Sequence, residues 1–150
     1  MCGIAGAFGY RDRHPVDAKE LLAMRGAMAR RGPDGEGLWI SGDGCAGLAH
    51  RRLAIIDLSE AAAQPMVTAD GRYRIIFNGE IYNYRALQRE LIDRGHRLAT
   101  SSDTEVLLHL YREFGHDMLP RLRGMFTFAI WDEVARSRII ARDALGINPH

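Results

Sequence analysis

The sequence predicts a layered α/β arrangement built on a largely antiparallel sheet. Short apolar segments typical of strands lie near both ends of the chain, amphipathic helices lie between them, and turn residues separate neighbouring strands closely enough for hairpins. The 150 residues contain no repeat, low-complexity tract or linker. A chain of this length is expected to form a single domain that buries roughly 68–70 % of its unfolded surface.

The first half of the chain is predicted to contain strands around one helix. Gly3–Gly9 is short, apolar and bounded by glycines, which is typical of a buried strand. Asp17 opens a helical pattern that runs through Met28 and ends near Arg30. Arg31–Gly35 is dense in turn formers and is predicted to be a loop. The next elements are two strands and their hairpin turn, at Gly37–Ile40, Cys45–His50 and Ser41–Gly44.

The second half is predicted to place two helices between strands. Arg85–Arg94 carries its apolar residues on one face and is followed by Gly95, so it is predicted to be an amphipathic helix. Thr104–Phe114 repeats this pattern. The remaining apolar or strand-like segments are Leu53–Leu58, Tyr73–Phe77, Met125–Trp131 and Arg138–Ala141.

Composition excludes several classes of function. The 20 Lys and Arg residues nearly balance the 19 Asp and Glu residues, so no basic excess points to nucleic acid or an anionic membrane. No apolar run approaches the roughly 20 residues that span a bilayer, and no basic stretch opens a signal peptide. Cys2 and Cys45 are too few for a disulfide framework and lack the spacing of metal ligands. We therefore expect free thiols, no bound metal and a cytoplasmic setting.

Cys2 is the first candidate for chemistry. If Met1 is removed, as is usual ahead of a small residue, the thiol and a free α-amino group belong to the same residue. An α-amino group has a pKa of roughly 7.7–8.0, so it can act as general base for that thiol, directly or through a water. The alternative is a chance cysteine near the start of translation. Cys45 is better explained as a small buried core residue.

Asn78 and Gly79 form the second candidate. An Asn-Gly pair after a strand is a strong hairpin signal, and in isolation a tight turn is the favoured interpretation. The alternative is an oxyanion hole, in which the Asn78 side-chain amide and the Gly79 backbone N–H converge on one point. Each such donor is typically worth roughly 2.7–4 kcal/mol in the transition state.

Arg52 and Asp103 form the third candidate. Arg52 lies in a segment that is expected to be buried and strand-like, where it can pair with a structural carboxylate or hold a substrate carboxylate in a bidentate fork. Asp103 lies within Ser102–Glu105, which has the pattern of a capping box. An acidic residue in the first turn of a helix needs no substrate to explain it. Taken alone, both residues favour the structural interpretation.

Several ordered segments closely resemble the N-terminal glutaminase domain of glutamine-hydrolysing asparagine synthetases, which are class II glutamine amidotransferases. These segments are Met1–Gly6, Arg31–Gly35, His50–Asp57, Phe77–Tyr84, Ser102–Glu105, Gly124–Asp132 and Arg142–Gly146. Pro33 and the Gly79–Asn83 segment resemble the asparagine synthetase branch. Amidotransferases of glucosamine phosphate and purine synthesis differ at both places.

The resemblance implies an α+β fold, the αββα four-layer sandwich of the Ntn hydrolases with largely antiparallel sheets. It implies that Cys2, as the mature N-terminus, attacks the side-chain amide of L-glutamine to form a thioester and release ammonia. Asn78 and Gly79 would stabilise the oxyanion. The α-carboxylate and the α-amino group of glutamine would be held by Arg52 and by Asp103 with Glu80, respectively.

The resemblance also implies a partner domain. Ammonia would pass to an ATP-dependent synthetase domain that amidates aspartate, so ATP and Mg are expected only there and no cofactor is expected in residues 1–150. A homodimer is compatible with this scheme. Relatives usually continue the final motif as Gly-Ile-Lys-Pro-Leu-Tyr-Tyr, whereas this chain has Gly146–His150, so we expect a domain that is incomplete at its C-terminus and lacks the synthetase part. The alternatives are a catalytically impaired module that binds glutamine or a partner, and an enzyme with another acceptor, such as a sugar or a cell-surface precursor.

Overall fold

Two antiparallel sheets organise the protein. The computed structural model describes residues 2–9, 14–53, 62–144 and 146. The strands within these residues are β1 Gly3–Phe8, β2 Gly35–Ile40, β3 Ala46–Arg52, β4 Met66–Val67, β5 Tyr73–Ile81, β6 Gly124–Asp132 and β7 Ser137–Arg142. Helices described within the same ranges are α1 Ala18–Ala27, α2 Tyr84–Asp93, α3 Asp103–Phe114 and a 3-10 helix at Gly115–Arg121.

The first sheet has the strand order β1-β3-β2. Gly3 is paired with Arg51 in β3, and Gly35 in β2 is paired with Arg52. Helix α1 packs on β1 and β3 and buries Leu21 completely. It begins where the Asp17 carboxylate accepts a hydrogen bond from the Lys19 N–H at 2.7 Å, which satisfies one of the exposed donors of the first turn.

The second sheet has the strand order β4-β5-β6-β7. Strand β5 pairs with β6 along its whole length, from Tyr73 opposite Asp132 to Ile81 opposite Gly124. The short β4 pairs only with the beginning of β5, where Met66 faces Ile75. Helices α2 and α3 cover one face of this sheet through a core that includes Ile75, Phe77, Leu91, Leu107, Leu110 and Phe128.

The other face of the second sheet packs against the first sheet. Successive side chains of a strand point to opposite faces, so Ile76 leaves the helix side and joins this second core. Its other buried members are Ala46, Leu48, Ala129 and Trp131, with Ile4, Phe8 and Trp39 packed against them. The layers are therefore α1, the first sheet, the second sheet, and α2 with α3. The predicted α+β four-layer sandwich with antiparallel sheets is confirmed.

The element predictions are largely confirmed, with shifted ends. Helix α1 ends at Ala27 rather than near Arg30, and β3 continues two residues beyond His50. Strand β2 begins at Gly35, inside the predicted loop, because Gly35 already pairs with β3. Strand β4 and the 3-10 helix were not predicted from the sequence. The predicted apolar stretch Leu53–Leu58 lies outside the described residues except for Leu53.

One prediction about the backbone is wrong in a way that matters for the site. The tight turn that the Asn-Gly pair favours when taken in isolation does not form, because β5 continues through Asn78 and Gly79 to Ile81. Pairing with Thr127 and Phe126 of β6 outweighs the local turn preference of the Asn-Gly pair. Among the described helices, none has the length and apolar character needed to cross a membrane.

Candidate active site

Cys2 lies immediately before β1, at the end of the first sheet where β3 finishes. Its Sγ accepts a hydrogen bond from the Leu53 N–H at 3.3 Å and lies 3.7 Å from the Leu53 carbonyl oxygen. The Arg31 Nε–H donates to the Cys2 carbonyl at 3.3 Å. The residue is a half-buried free thiol. These contacts hold both the backbone and the sulfur of Cys2.

Arg52 lies at the same end of the sheet, as the last residue of β3. The Asp34 N–H donates to its carbonyl at 3.0 Å. Gly32 lies so close to this strand that a Cβ there would be 2.4 Å from the carbonyl carbon of Arg51. The loop that carries Gly32 and Asp34 thus packs directly on the end of β3. Because Gly3 is opposite Arg51, Cys2 and Arg52 are at the same level of the sheet.

Asn78 and Gly79 lie within β5. Asn78 is only 4 % exposed. Gly79 has φ +149°, and a Cβ at this position would lie 2.1 Å from the Met125 carbonyl oxygen and 2.6 Å from the Phe126 Cα. Both neighbours are backbone atoms of β6, which cannot move aside as a flexible side chain can. Glycine is therefore required here for close strand pairing.

The edge of β5 that faces away from β6, which we call the outer edge, carries a row of backbone N–H groups. The Phe77 N–H donates to Gln64 Oε1 at 2.6 Å, and the Ile81 N–H donates to Asp103 Oδ2 at 3.1 Å. Alternate residues of an antiparallel strand direct their N–H groups to the same edge. The N–H of Gly79, which lies between them, is thus directed to the outer edge.

Asp103, the first residue of α3, is buried beside this edge. Burial raises the pKa of its carboxyl to about 6, the hydrogen bonds from the Ile81 and Thr104 N–H groups work against that rise, and the nearby charge of Glu80 adds to it. Glu80 itself is exposed on β5. The two carboxyl groups thus lie near each other, one buried and one open to solvent, and a cation between them would be favoured.

The predicted capping box at Ser102–Glu105 is only half formed. The Ser102 hydroxyl accepts from the Thr104 N–H at 3.1 Å, as expected for an N-cap. The Glu105 carboxylate does not return to the Ser102 N–H. It accepts instead from the Ala99 and Thr100 N–H groups at 2.8 and 2.7 Å. Glu105 therefore holds the loop that leads into α3.

The structure gathers the predicted residues into two groups. Cys2 and Arg52 form the first group, and Asn78, Gly79, Glu80 and Asp103 form the second. Strand β1, which directly follows Cys2, contacts β5, which carries Asn78, Gly79 and Glu80. The two groups are therefore connected across the interface between the sheets.

Cys45 belongs to neither group. The prediction of a buried core residue is wrong, because Cys45 is half-buried in the turn before β3, where its N–H donates to Asp43 Oδ1 at 3.0 Å.

Sequence reasoning missed three residues that hold this region. They are Arg31, which contacts Cys2, Gln64, which contacts β5, and His50. His50 is completely buried, and its Nε2 lies 3.3 Å from the Phe77 carbonyl oxygen. Burial lowers the pKa of His50 to about 4, so its imidazole is neutral near pH 7 and donates from Nε2. Arg31 and His50 each lie within a segment that carries the family resemblance, but no local signal points to the contacts of the three residues, since their partners are far apart in sequence.

Comparison with known proteins identifies the family. The protein-family model of the glutamine amidotransferase domain matches residues 1–150 of the sequence. The chain is 41 % identical over 151 residues to the glutamine-hydrolysing asparagine synthetase 3 of Bacillus subtilis, covering 99 % of this chain and 24 % of that protein. It is 42 % identical over 149 residues to asparagine synthetase B of Escherichia coli, covering 99 % of this chain and 26 % of that protein. The chain thus spans about a quarter of the length of these relatives.

The fold has a solved counterpart. The structure superposes on the glutamine phosphoribosylpyrophosphate amidotransferase of Bacillus subtilis with a TM-score of 0.70 and 21 % identity, over 95 % of this chain and 37 % of that one. The family match defines a glutamine amidotransferase domain, and the solved counterpart shows that its fold is that of the Ntn hydrolases. The chain belongs to the glutamine amidotransferase domain family and is similar to the N-terminal region of asparagine synthetases.

Proposed function

We propose that this domain hydrolyses the side-chain amide of L-glutamine to L-glutamate and ammonia, with Cys2 as the nucleophile. The observation that carries the proposal is the placement of Cys2 immediately before β1, a strand that contacts β5. Its Sγ is held 3.3 Å from the Leu53 N–H. A half-buried thiol held in a sheet that packs against β5, whose outer edge presents N–H donors, is suited to acyl transfer.

Glutamine is held through the two charged groups attached to its α-carbon, the α-carboxylate and the α-ammonium group. Arg52 pairs with the α-carboxylate, and its planar guanidinium can do so through two hydrogen bonds. Asp103 and Glu80 receive the α-ammonium group. These contacts direct the side-chain amide toward Cys2 and convert the attack into a step between groups that are already in place.

The reaction proceeds through a thioester. With Met1 removed, the α-amino group of Cys2 accepts the thiol proton, and the sulfur bonds to the amide carbon. The Asn78 side-chain amide and the Gly79 N–H stabilise the resulting oxyanion. The carbon–nitrogen bond breaks, the amino group of Cys2 returns the proton, and ammonia leaves. Water then adds to the thioester, the carbon–sulfur bond breaks, and glutamate leaves with the thiol restored.

The ammonia is proposed to pass to a synthetase domain of the intact protein. The relatives named above are asparagine synthetases, so aspartate is the first acceptor to test, with ATP and Mg serving that domain and no cofactor serving this one. Formation of asparagine from aspartate, ATP and glutamine by the intact protein would support this acceptor. Ammonia release without asparagine would point to another acceptor.

The two cysteines provide a matched test of the chemistry. We expect the intact protein to release ammonia and glutamate in equal amounts, Cys2→Ala to abolish release, and Cys45→Ala to retain it, since Cys45 is the only other cysteine of the sequence and belongs to neither site group. Intact mass spectrometry before and after treatment with a glutamine-like electrophile reports both the removal of Met1 and the labelled residue.

Two outcomes would contradict the proposal. One is labelling of Cys45 with Cys2 spared in protein that has lost Met1. The other is calorimetric binding of glutamine by processed protein that releases no ammonia, which would favour a binding module.

A further inference from the structure

Gln64 connects the two elements that carry the second group of site residues. Its Oε1 accepts from the Phe77 N–H at 2.6 Å, and its Nε2 donates to the Thr104 hydroxyl at 3.3 Å. Phe77 immediately precedes Asn78, and Thr104 immediately follows Asp103. One half-buried side chain therefore joins the strand with the proposed oxyanion donors to the helix with the proposed ammonium-binding carboxylate.

The side chain of Gln64 takes the place of a strand partner. Strand β4 begins at Met66, which is opposite Ile75, so its pairing with β5 does not extend toward Phe77. Beyond that point the outer edge of β5 continues without β4. Gln64 Oε1 meets the N–H of Phe77 there, as a carbonyl of a longer β4 would, and leaves the next outward N–H, that of Gly79, for the oxyanion.

Gln64 is itself held in place. A Cβ on Gly37 of β2 would lie 1.8 Å from the Gln64 carbonyl oxygen, so the two backbones can approach this closely only because Gly37 has no side chain. The carbonyl group of Phe77 is contacted in turn by His50, whose Nε2 lies 3.3 Å from the oxygen. Gln64 and His50, from two separate segments, therefore fix the backbone at Phe77.

We propose that Gln64 is a positioning residue that fixes the Asn78–Gly79 segment relative to Asp103. This inference rests on the proposed glutaminase function. Donors aimed at an oxyanion are effective only when they are preorganised, and a misplacement of about 1 Å can lower a rate about 100-fold. The role requires an amide, because one end of the side chain accepts a hydrogen bond and the other donates one.

The test compares Gln64 with a matched residue on the same strand edge. In Gln64→Leu both hydrogen bonds are lost at nearly constant volume, and in Gln64→Glu the donor to Thr104 is lost while an acceptor for Phe77 remains. The control is Thr68→Val, because Thr68 Oγ1 likewise accepts from β5, from the Tyr73 N–H at 3.0 Å, but at the end of β5 remote from Asn78. All variants are made in the intact protein.

The expected result is a loss of turnover rather than of substrate binding. We expect Gln64→Leu to lower kcat about 10-fold to 100-fold with a much smaller change in the KM for glutamine. Glutamate γ-semialdehyde, whose adduct with the Cys2 thiol is tetrahedral, should lose affinity in parallel with kcat, whereas glutamate should not. Gln64→Glu should have an intermediate effect and Thr68→Val should keep the wild-type kcat. If Gln64 had a purely structural role, its substitution would weaken the binding of glutamate γ-semialdehyde and of glutamate alike.

Amide hydrogen exchange tests the contact without any substrate. The Phe77 amide should exchange faster in Gln64→Leu than in wild-type protein. In Thr68→Val the Tyr73 amide should exchange faster instead. An active wild-type protein whose Gln64→Leu variant keeps its kcat, or keeps a protected Phe77 amide, would overturn this inference and leave the proposed function intact. A processed wild-type protein without glutaminase activity would overturn both.

Discussion

At the scale of single residues, Asp103 combines a charge with a buried position. It is only 4 % exposed, and burial raises the pKa of its carboxyl to about 6. A buried carboxylate needs a charged partner, and the backbone N–H groups of Ile81 and Thr104 carry no net charge. The α-ammonium group of glutamine would supply the missing positive charge, which is the physical reason for assigning this role to Asp103 rather than to a helix cap alone.

This assignment predicts how glutamine binding depends on pH. Protonation of Asp103 removes the charge that the ammonium group needs, so the Kd for glutamine should rise about 10-fold per pH unit below pH about 6. Calorimetry on a Cys2→Ala background measures binding without turnover. Asp103→Asn should bind glutamine weakly at every pH, with no inflection near pH 6.

A matched control for that measurement is Asp93→Asn, at the exposed end of α2, which should keep the wild-type profile. A Kd that stays constant from pH 7 to pH 5 in the Cys2→Ala protein would remove Asp103 from the ammonium site.

At the scale of elements, the helices could be predicted well and the central strand only in part. Helix α3 follows from an apolar face and a Ser102 cap, both of which are local in sequence. The extent of β5 depends on pairing with β6, some fifty residues later in the chain, while its Asn-Gly pair gives a competing local turn signal. The role of Gln64 could not be predicted either, because its partners Phe77 and Thr104 are 13 and 40 positions away in the sequence.

Two glycines in different elements predict opposite effects of one substitution. Gly26 lies near the end of α1 with no atom within 4 Å of a Cβ, so Gly26→Ala should raise the free energy of unfolding by about 0.4–1 kcal/mol. Gly79→Ala should lower it by more than about 1 kcal/mol, because its Cβ would meet the β6 backbone at a positive φ.

Urea denaturation of the two glycine variants and wild-type protein measures these changes. Equal free energies of unfolding for Gly79→Ala and the wild type would contradict this prediction. They would mean that β5 and β6 can separate at this position without loss of stability.

At the scale of the whole molecule, the candidate site depends on the packing of one sheet against the other. Cys2 and Arg52 belong to the first sheet, whereas Asn78, Gly79 and Asp103 belong to the second sheet and its helix. Composition and periodicity predict that such sheets exist but not which strand faces which. The family resemblance implied the four-layer sandwich and the residues of the site, but not which strands face each other. His50 links the layers directly, from β3 to the Phe77 carbonyl of β5.

His50 and Asp103 predict opposite changes of stability with pH. The pKa of His50 falls from 6.5 to about 4 on folding, so between these values the unfolded chain binds more protons and stability is lost as pH falls. The pKa of Asp103 rises from 3.8 to about 6, so the folded protein binds more protons there and stability is lost as pH rises. Each slope is at most about 1.4 kcal/mol per pH unit, and in the wild type the two largely offset each other between pH 4.5 and 6.

Single substitutions should therefore separate the two slopes. Relative to wild type, Asp103→Asn should lose stability more steeply as pH falls from 6 to 4.5, because the contribution of His50 is no longer opposed. His50→Gln, which keeps a donor for the Phe77 carbonyl, should gain stability relative to wild type over the same range. Comparison with wild type cancels the contributions of the other carboxylates to the pH dependence of stability, since these groups are the same in both proteins. Urea denaturation at half-unit pH steps measures both, and parallel curves for wild type and His50→Gln would show that His50 does not remain neutral between the sheets.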